Sequence, residues 1–295
     1  MVNKKYGNLM SRRHFIGSVM FTTATAALIS SCKTSRWETG CFTRPWAQYD
    51  YRVAFDGIAG AGFKFAGLMS SDKGLVITSD TTPEYAAEVG EEARARNLKI
   101  ASMYGNVDVR GSLSDGIKGL MRLIDNSADA GCSNILLGGT TEPELVDDYY
   151  KAVAECCDYA AEKGVGLTLK PHGGTNATGP ECRRLIERVG HSNFTLWYDP
   201  GNIYYYSHGE LDPVDDAPEV EGLVTGMCVK DFRMPQEVNL TPGTGMVDFP
   251  EVFSRLRQGG FKGGPLIVEC LSLGDLDYIN AEAKKARVFL DELTG

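Results

Sequence analysis

Histidine, paired cysteine motifs and surplus positive charge are all scarce in this sequence. Only 4 of its 295 residues are histidine, which argues against a site with many imidazole ligands. The 8 cysteines show no CxxC spacing, so a zinc ribbon or dithiol redox centre has no support. The 39 acidic residues outnumber the 30 basic ones, and a net charge of −9 argues against nucleic acid as the main partner. No GxGxxG motif follows the first apolar segment, which argues against a dinucleotide-binding sheet.

The amino-terminal segment is basic and contains no acidic residue. Residues 1–31 include the pair Arg12-Arg13 and a diluted apolar stretch at 15–29, which is too short and weak for a good membrane span. The Arg pair followed by His-Phe-Ile resembles a twin-arginine export signal, and Leu-Ile-Ser-Ser before Cys32 resembles a bacterial lipobox. We therefore expect an exported periplasmic or cell-envelope protein whose one membrane link is a lipid on Cys32. A plain cleaved signal with an incidental cysteine is the alternative.

The remaining residues, 32–295, alternate strand-like and helix-like segments. Short apolar segments typical of strands buried on both faces span 40–45, 63–68, 99–104, 134–137, 166–170, 195–198, 226–229 and 266–269. Predicted helices, several of them ending at glycine, span 51–59, 82–96, 112–130, 144–163, 180–189, 213–221, 250–258 and 280–293. Strict alternation of this kind predicts a single-domain α/β protein, a closed (β/α)8 TIM barrel, with a doubly wound open sheet as the alternative.

Polar side chains end most of the predicted strands, at the edge where TIM barrels carry their active sites. These residues are Glu142, Lys170, His172, Asp199, Asn202, Lys230, Asp231 and Glu269, and His208 follows in a loop. Lys170 and His172 have the same strand parity, so both are expected to face the barrel interior. His191 precedes a strand and is expected at the opposite end.

Each candidate also has a structural interpretation. Asp199 could cap the turn that Asp-Pro-Gly-Asn would form, and His172 could be a core histidine. Lys170 could be the ion-pair partner of Glu142 or Glu269, because an isolated buried charge is costly. Glu142 could be a first-turn acid favoured by the helix dipole rather than a general base.

The strand ends resemble those of the xylose isomerase-like barrels, the sugar phosphate isomerase/epimerase superfamily. The specific segments are Tyr-Asp-Pro-Gly-Asn at 198–202, Val-Lys-Asp-Phe at 229–232, Gly-Thr-Gly-Met-Val-Asp-Phe at 243–249 and Val-Glu at 268–269. The resemblance covers the chain from about residue 36 to its end.

In that family a divalent metal is commonly held by Glu, Asp, His and Glu after strands five to eight. Asp199 and Glu269 stand at two of those positions, whereas Lys170 and Cys228 replace the first Glu and the His. The resemblance therefore implies a site for Mn, Mg, Co or Zn, with His172 and Cys228 as substitute ligands. Cys228 would favour a softer metal such as zinc.

The resemblance implies an enzyme that acts on a sugar or keto-sugar by metal-assisted proton abstraction next to a carbonyl, giving isomerisation or epimerisation. The candidate acid, base and electrophile groups are Lys170, Glu142, Lys230 and Glu269. The candidate substrate contacts are His208, Asn202 and Asp231.

Other functions stay open at this point. Phosphorylated sugars are mostly cytoplasmic, so export raises a keto-glycoside lyase that works by β-elimination as an alternative. The replaced ligands motivate another, a non-catalytic sugar-binding lipoprotein. A DNA-repair endonuclease of the same superfamily would need several histidines and a basic face, which this chain lacks.

Overall fold

The computed structural model describes residues 36–295, and in it eight parallel strands close into a barrel. The strands are β1 (Trp37–Phe42), β2 (Phe65–Leu68), β3 (Lys99–Gly105), β4 (Asn134–Leu137), β5 (Gly166–Leu169), β6 (Phe194–Tyr198), β7 (Val224–Val229) and β8 (Gly264–Val268). Neighbours in the chain are neighbours in the barrel, and β1 pairs with both β2 and β8. This closure confirms the predicted TIM barrel and excludes the open sheet.

Helices connect the strands. They are α1 (Tyr51–Gly60), α2 (Pro83–Ala95), α3 (Leu113–Asp129), α4 (Val146–Glu162), α5 (Gly179–Val189), α6 (Pro200–Tyr206), α7 (Pro213–Asp216), α8 (Phe249–Gln258) and α9 (Leu276–Thr294). Short 3-10 helices span Arg44–Trp46, Pro143–Leu145 and Ala217–Val220, and a small hairpin pairs Ser70–Ser71 with Gly74–Leu75. Within residues 36–295, no helix is both long enough and apolar enough to cross a bilayer. The export signal predicted for residues 1–31 and the lipid on Cys32 lie outside the described residues.

The first strand, the helix at 213–221 and the segment after the sixth strand differ from the prediction, and proline contributes at each. The first strand ends at Phe42 rather than 45, because Arg44–Trp46 turns into a 3-10 helix with Pro45 in its first turn. The predicted helix 213–221 is α7 followed by a separate 3-10 helix, because Pro218 cannot donate the helical hydrogen bond. Helix α6 was not predicted at all.

Two layers of side chains fill the barrel interior. The apolar layer consists of Phe42, Met69, Ala101, Leu136, Trp197, Cys228 and Ile267. Glycines make room for its rings, since a Cβ on Gly226 would lie 2.3 Å from Cε2 of Trp197. The charged layer, towards the carboxyl ends of the strands, consists of Arg44, Lys170, Asp199, Lys230 and Glu269. Four of these follow a member of the apolar layer by two residues, which is the spacing that returns a strand to the same face.

The described cysteines, seven in all, are buried and free, so they pack as small hydrophobic residues. Only Cys228 belongs to the apolar layer, where it lies beneath the charged one. A larger apolar core fills the space between the barrel wall and the helices. His191 follows α5 and precedes β6, at the amino-terminal end of the barrel, and its Nε2 contacts Asp158.

Candidate functional site

Lys170 follows β5 directly and bridges two carboxylates. Its Nζ lies 2.6 Å from Oε2 of Glu269 and 3.0 Å from Oδ2 of Asp199, and only 1% of the residue is exposed. Burial by itself lowers the pKa of Lys170, but the carboxylates of Glu269 and Asp199 outweigh burial and hold that pKa well above its ordinary value. The side chain is therefore an ammonium group at neutral pH, paired with Glu269 rather than Glu142.

Lys230 follows β7 and contacts the same two carboxylates from another strand. Its Nζ lies 2.6 Å from Oε1 of Glu269 and 3.2 Å from Oδ2 of Asp199, and it donates to Oδ1 of Asn202 at 2.9 Å. Burial opposes its charge, but Asp199 and Glu269 raise its pKa above the ordinary value. Asn202 in turn donates to the carbonyl of Pro171, which holds the amide in place.

Glu269 follows β8 and is surrounded by positive charge. Besides the two lysines, Nη1 of Arg44 lies 3.2 Å from its Oε1. Burial would raise the pKa of Glu269, but Lys170, Lys230 and Arg44 hold that pKa well below its ordinary value. The group is a carboxylate at neutral pH although only 3% of it is exposed.

Asp199 caps a helix, as one interpretation of its sequence position predicted, and also pairs with both lysines. Its Oδ1 accepts the backbone N–H of Asn202 at 3.0 Å and caps α6, whose first turn contains Pro200. Its Oδ2 faces the two ammonium groups, but their approach lacks the alignment of a hydrogen bond, so this oxygen is buried without one. The cap and the ion pairs therefore use different oxygens of one carboxylate.

A cleft of about 350 Å³ opens above the charged layer. Arg44, Lys170, Lys230 and Glu269 form part of its lining, together with Asn202, His172, Tyr104 and Tyr206. The ring of His172 lies between those of Tyr104 and Tyr206, with centroids 6.0 and 5.7 Å away. Burial, with help from the charges of Lys170 and Lys230, lowers the pKa of His172 to about 3. His172 is therefore neutral and offers the cleft both a donor and an acceptor nitrogen.

Among the predicted site residues, Glu142 and His208 do not line the cleft, and neither do Asp199 and Cys228, which lie in the layers beneath it. Glu142 precedes the 3-10 helix Pro143–Leu145 and forms an ion pair with the exposed Arg110. His208 lies within 3.1 Å of the amide of Gln236, measured from Nδ1 to Nε2.

Asp231 is also absent from the lining, because its carboxylate organises the loop after β7. The two oxygens accept four backbone N–H groups, those of Phe232, Gly243, Gly245 and Val247. Asp231 is fully buried and folds this loop back onto the barrel. The backbone of the segment at 243–249 approaches the Asp231 carboxylate so closely that glycine is needed there. A Cβ on Gly245 would lie 2.3 Å from Oδ1 of Asp231.

Sequence analysis missed Arg44, Tyr104 and Tyr206. Arg44 was placed inside the first predicted strand, although its position two residues after Phe42 would have assigned it to the interior. Tyr206 lies on α6, which was not predicted, and Tyr104 is the last residue of the predicted strand 99–104, to which no role was assigned. For the two tyrosines no sequence signal separated a cleft residue from a core residue.

The chemistry of the layer can be tested against the metal site that the resemblance implies. Asp199, Cys228 and Glu269 offer three ligand atoms within 4.8 Å of one another, the geometry of a metal-binding triad, and His172 is not part of this group. Both carboxylates, however, already contact two ammonium groups. The third donor, Cys228, is a buried thiol whose pKa burial raises well above its ordinary value. The donor atoms converge, but their surroundings do not fit a divalent cation.

Comparison with known proteins agrees with the fold. The sequence profile of the xylose isomerase-like TIM barrel family matches residues 55–293. The chain therefore belongs to the xylose isomerase-like TIM barrel family.

Individual relatives share low sequence identity with this chain. An inosose dehydratase of Klebsiella pneumoniae is 27% identical over 179 residues, which cover 53% of this chain and 59% of the relative. A xylose isomerase domain protein of Planctomyces limnophilus superposes with a TM-score of 0.67 at 17% identity, covering 87% of this chain and 97% of that one. A D-allulose 3-epimerase of Methylomonas sp., solved with D-allulose, gives 0.67 at 18% identity, with 88% and 97% covered. The two solved structures support the fold.

Proposed function

We propose that the protein is an enzyme that removes a proton from the carbon next to the carbonyl group of a keto-sugar or a related cyclic polyhydroxy ketone. One observation carries the proposal: a carboxylate and two buried ammonium groups face a single cleft at the carboxyl end of the barrel. This is the set of groups that such chemistry needs, a base for the C–H proton and positive charge for the oxyanion that develops.

The order of events follows from the contacts. A ketone oxygen that enters the layer takes a hydrogen bond from Lys170 or Lys230 in competition with Glu269. Losing a donor makes the Glu269 carboxylate more basic, at the moment when it faces the acidified C–H bond. Glu269 then takes the proton, the C–H electron pair forms the C=C bond of an enediolate, the carbonyl π electrons move to oxygen, and the ammonium group stabilises the oxyanion. His172 and Asn202 offer hydrogen bonds that orient the hydroxyl groups.

Two outcomes are open to the enediolate. Protonation at carbon gives an epimer or an isomer, the products expected from the resemblance. Loss of the β-hydroxyl group as water, after it accepts a proton from an ammonium group, is a lyase reaction. The observation that favours the lyase is that Glu269 is the only carboxylate lining the described cleft, so a second carboxylate base is missing there. The relative named inosose dehydratase supports the same outcome.

Exchange of the substrate proton with solvent tests the common first step. We expect purified protein in D2O to label the carbon next to the carbonyl of D-fructose, D-allulose or an inosose, as followed by proton NMR. Lys170→Met should lower the exchange rate by about 100-fold or more, whereas Lys163→Met, at an exposed lysine of the α4 C-cap, should leave it unchanged. Formation of an epimer or of a dehydrated product then identifies the reaction.

A binding function would give a different result. Calorimetry that shows a sugar bound in the cleft, with no exchange and no product over the same panel, would overturn the enzyme and favour the non-catalytic sugar-binding protein. Equal exchange in the wild type and Lys170→Met would overturn the role of the charged layer.

We also propose that the chain is exported, on the support of its amino-terminal sequence alone. Replacing Arg12 and Arg13 with lysine should retain the precursor in the cytoplasm, because the twin-arginine receptor recognises the Arg pair. Cell fractionation measures this, and normal accumulation of the double variant in the envelope would contradict it. Cys32→Ser should release the protein from membranes if the cysteine carries a lipid.

A further inference from the structure

We propose that the ammonium groups of Lys170 and Lys230 take the place of a divalent metal ion, so that this member of the family holds its oxyanion site with fixed organic cations. The inference deepens the proposed function and rests on it for the identity of the oxyanion. The claim about metal binding stands on the geometry of the charged layer alone.

The positions of the two Nζ atoms are the first observation. Each lies within 3.2 Å of Asp199 and 2.6 Å of Glu269, so each bridges the same pair of carboxylates. Oδ2 of Asp199 meets both ammonium groups, while Glu269 gives one oxygen to each. A metal ion on these carboxylates would need the oxygens that the lysines already contact, and it would have to displace two buried ammonium groups that are 1% and 4% exposed.

The charge of the layer is the second observation. Lys170, Lys230 and Arg44 bring three positive charges to the two negative charges of Asp199 and Glu269. A divalent ion that joined these groups while both lysines stayed in place would raise the surplus from one positive charge to three, with both lysines and both carboxylates buried. With one positive charge in excess, the layer is instead suited to an oxyanion, whose single negative charge would neutralise it.

The third observation concerns how the lysines reach this place. Lys170 follows Thr168 by two residues and Lys230 follows Cys228 by two, so both side chains point into the barrel from the wall itself. Lys230 is further fixed by Asn202, and the backbone carbonyl of Lys170 accepts a hydrogen bond from Asn176. The positive charge is thus part of the scaffold and need not be acquired from solution.

Metal binding can be measured without any substrate. Purified wild-type protein is dialysed against Mn²⁺ or Zn²⁺, and bound metal is determined by elemental analysis, by the electron paramagnetic resonance signal of free Mn²⁺ and by the shift in Tm. We expect no bound metal and no shift in Tm. One Mn²⁺ or Zn²⁺ per chain in the wild type would overturn the proposal.

The variant Lys170→Glu tests whether the ammonium group of Lys170 is what excludes the metal ion. It removes one ammonium group and adds a third carboxylate, so we expect it to bind Mn²⁺ at least about tenfold more tightly than the wild type. Lys163→Glu makes the same change on the exposed surface and serves as the matched control. Folding is checked by circular dichroism, and Lys170→Gln, which only removes the charge, replaces a variant that does not fold. A folded variant that gains no affinity would show that Lys170 does not exclude the metal, which overturns the proposal.

Proton exchange measured with and without metal separates this inference from the proposed function. Proton exchange that persists after chelator treatment supports both. Absence of exchange both without metal and after metal is added ends the proposed function and the role assigned to the oxyanion, but leaves the exclusion of metal as measured. Exchange that requires added metal ends the inference and leaves the enzyme.

Discussion

The two layers inside the barrel are built on the same strands and differ in what they contribute. The apolar layer is made of rings and aliphatic groups that fit around glycine, as Trp197 does over Gly226. The charged layer lies two residues further on and is made of ion pairs between Lys170, Lys230, Asp199 and Glu269. The apolar layer gains stability from burial and close packing. Burial of the charged layer costs the free energy of hydration of its groups, and the ion pairs only offset that cost. The layer therefore contributes to chemistry rather than to stability.

The largest expected effect in the charged layer comes from Glu269→Gln. It leaves three cations with one carboxylate, so we expect a loss of about 3–5 kcal/mol in the free energy of unfolding and of about 100-fold or more in exchange rate. Denaturant unfolding and the exchange assay measure these. Glu282→Gln is the control, because Glu282 is equally buried at 3% exposure but contacts Thr241 and Lys285 instead. A similar loss of exchange in both variants would show that burial, not the layer, explains the effect.

The apolar layer should respond to volume rather than charge. Gly226→Ala would place a Cβ 2.3 Å from the Trp197 ring, so we expect a loss of about 1–3 kcal/mol in the free energy of unfolding. Gly119→Ala, in α3, meets no atom within 4 Å and should stabilise the protein by about 0.5–1 kcal/mol. Opposite signs in denaturant midpoints would confirm the packing account; two equal shifts would refute it.

A smaller effect concerns pH and His172. Its pKa is about 3 in the folded protein against an ordinary 6.5, so the unfolded chain binds a proton in this window that the folded chain does not. Stability should therefore fall as pH falls from 6.5 towards 3. In urea titrations, His172→Asn should reduce the loss of stability between pH 7 and pH 5. An unchanged dependence of stability on pH would show that His172 is not the group responsible.

The buried carboxyl group of Asp216 changes stability with pH in the opposite direction to His172, so it serves as a control for that titration. Burial raises its pKa to about 6 from an ordinary 3.8, so its contribution to stability is present below 3.8 and is lost as pH rises through 6. Asp216→Asn should remove this opposing contribution, and the loss of stability on acidification should become steeper than in the wild type.

The smallest effect is expected at Glu142. Its partner Arg110 is exposed, and such pairs contribute little to stability. Glu142→Gln should leave both the denaturant midpoint and the exchange rate unchanged. A loss of exchange by orders of magnitude would instead identify Glu142 as the general base and would move the active site beyond the charged layer.

The sequence allowed the barrel to be predicted because strand–helix alternation is a local property, repeated from β1 to α9. It also placed Lys170, Asp199, Lys230 and Glu269 correctly at strand ends. The pairing between them could not be predicted, since Lys170 and Glu269 are 99 residues apart and meet only when the barrel closes. Glu142 and Glu269 were equal candidates as partners of Lys170 for that reason.

Other differences have local causes. Helix α6 was missed because a Pro-Gly-Asn sequence favours a turn, and only the cap from Asp199 together with burial of the segment makes it a helix. Asp231 was expected at the substrate because a carboxylate follows a strand. Its use in folding the loop depends on four amides up to sixteen residues away, which no pattern in the sequence indicates.

The position of Lys170 has a consequence for how such a barrel can change in evolution. The two lysine codons, AAA and AAG, differ from the glutamate codons GAA and GAG in the first base alone. If the side chain at 170 decides whether the two neighbouring carboxylates hold an ammonium group or a metal ion, one transition in the gene exchanges one kind of catalyst for the other. Lineages of this barrel can then cross between metal-dependent and metal-free chemistry without passing through an unfolded intermediate sequence, as long as Asp199 continues to cap its helix.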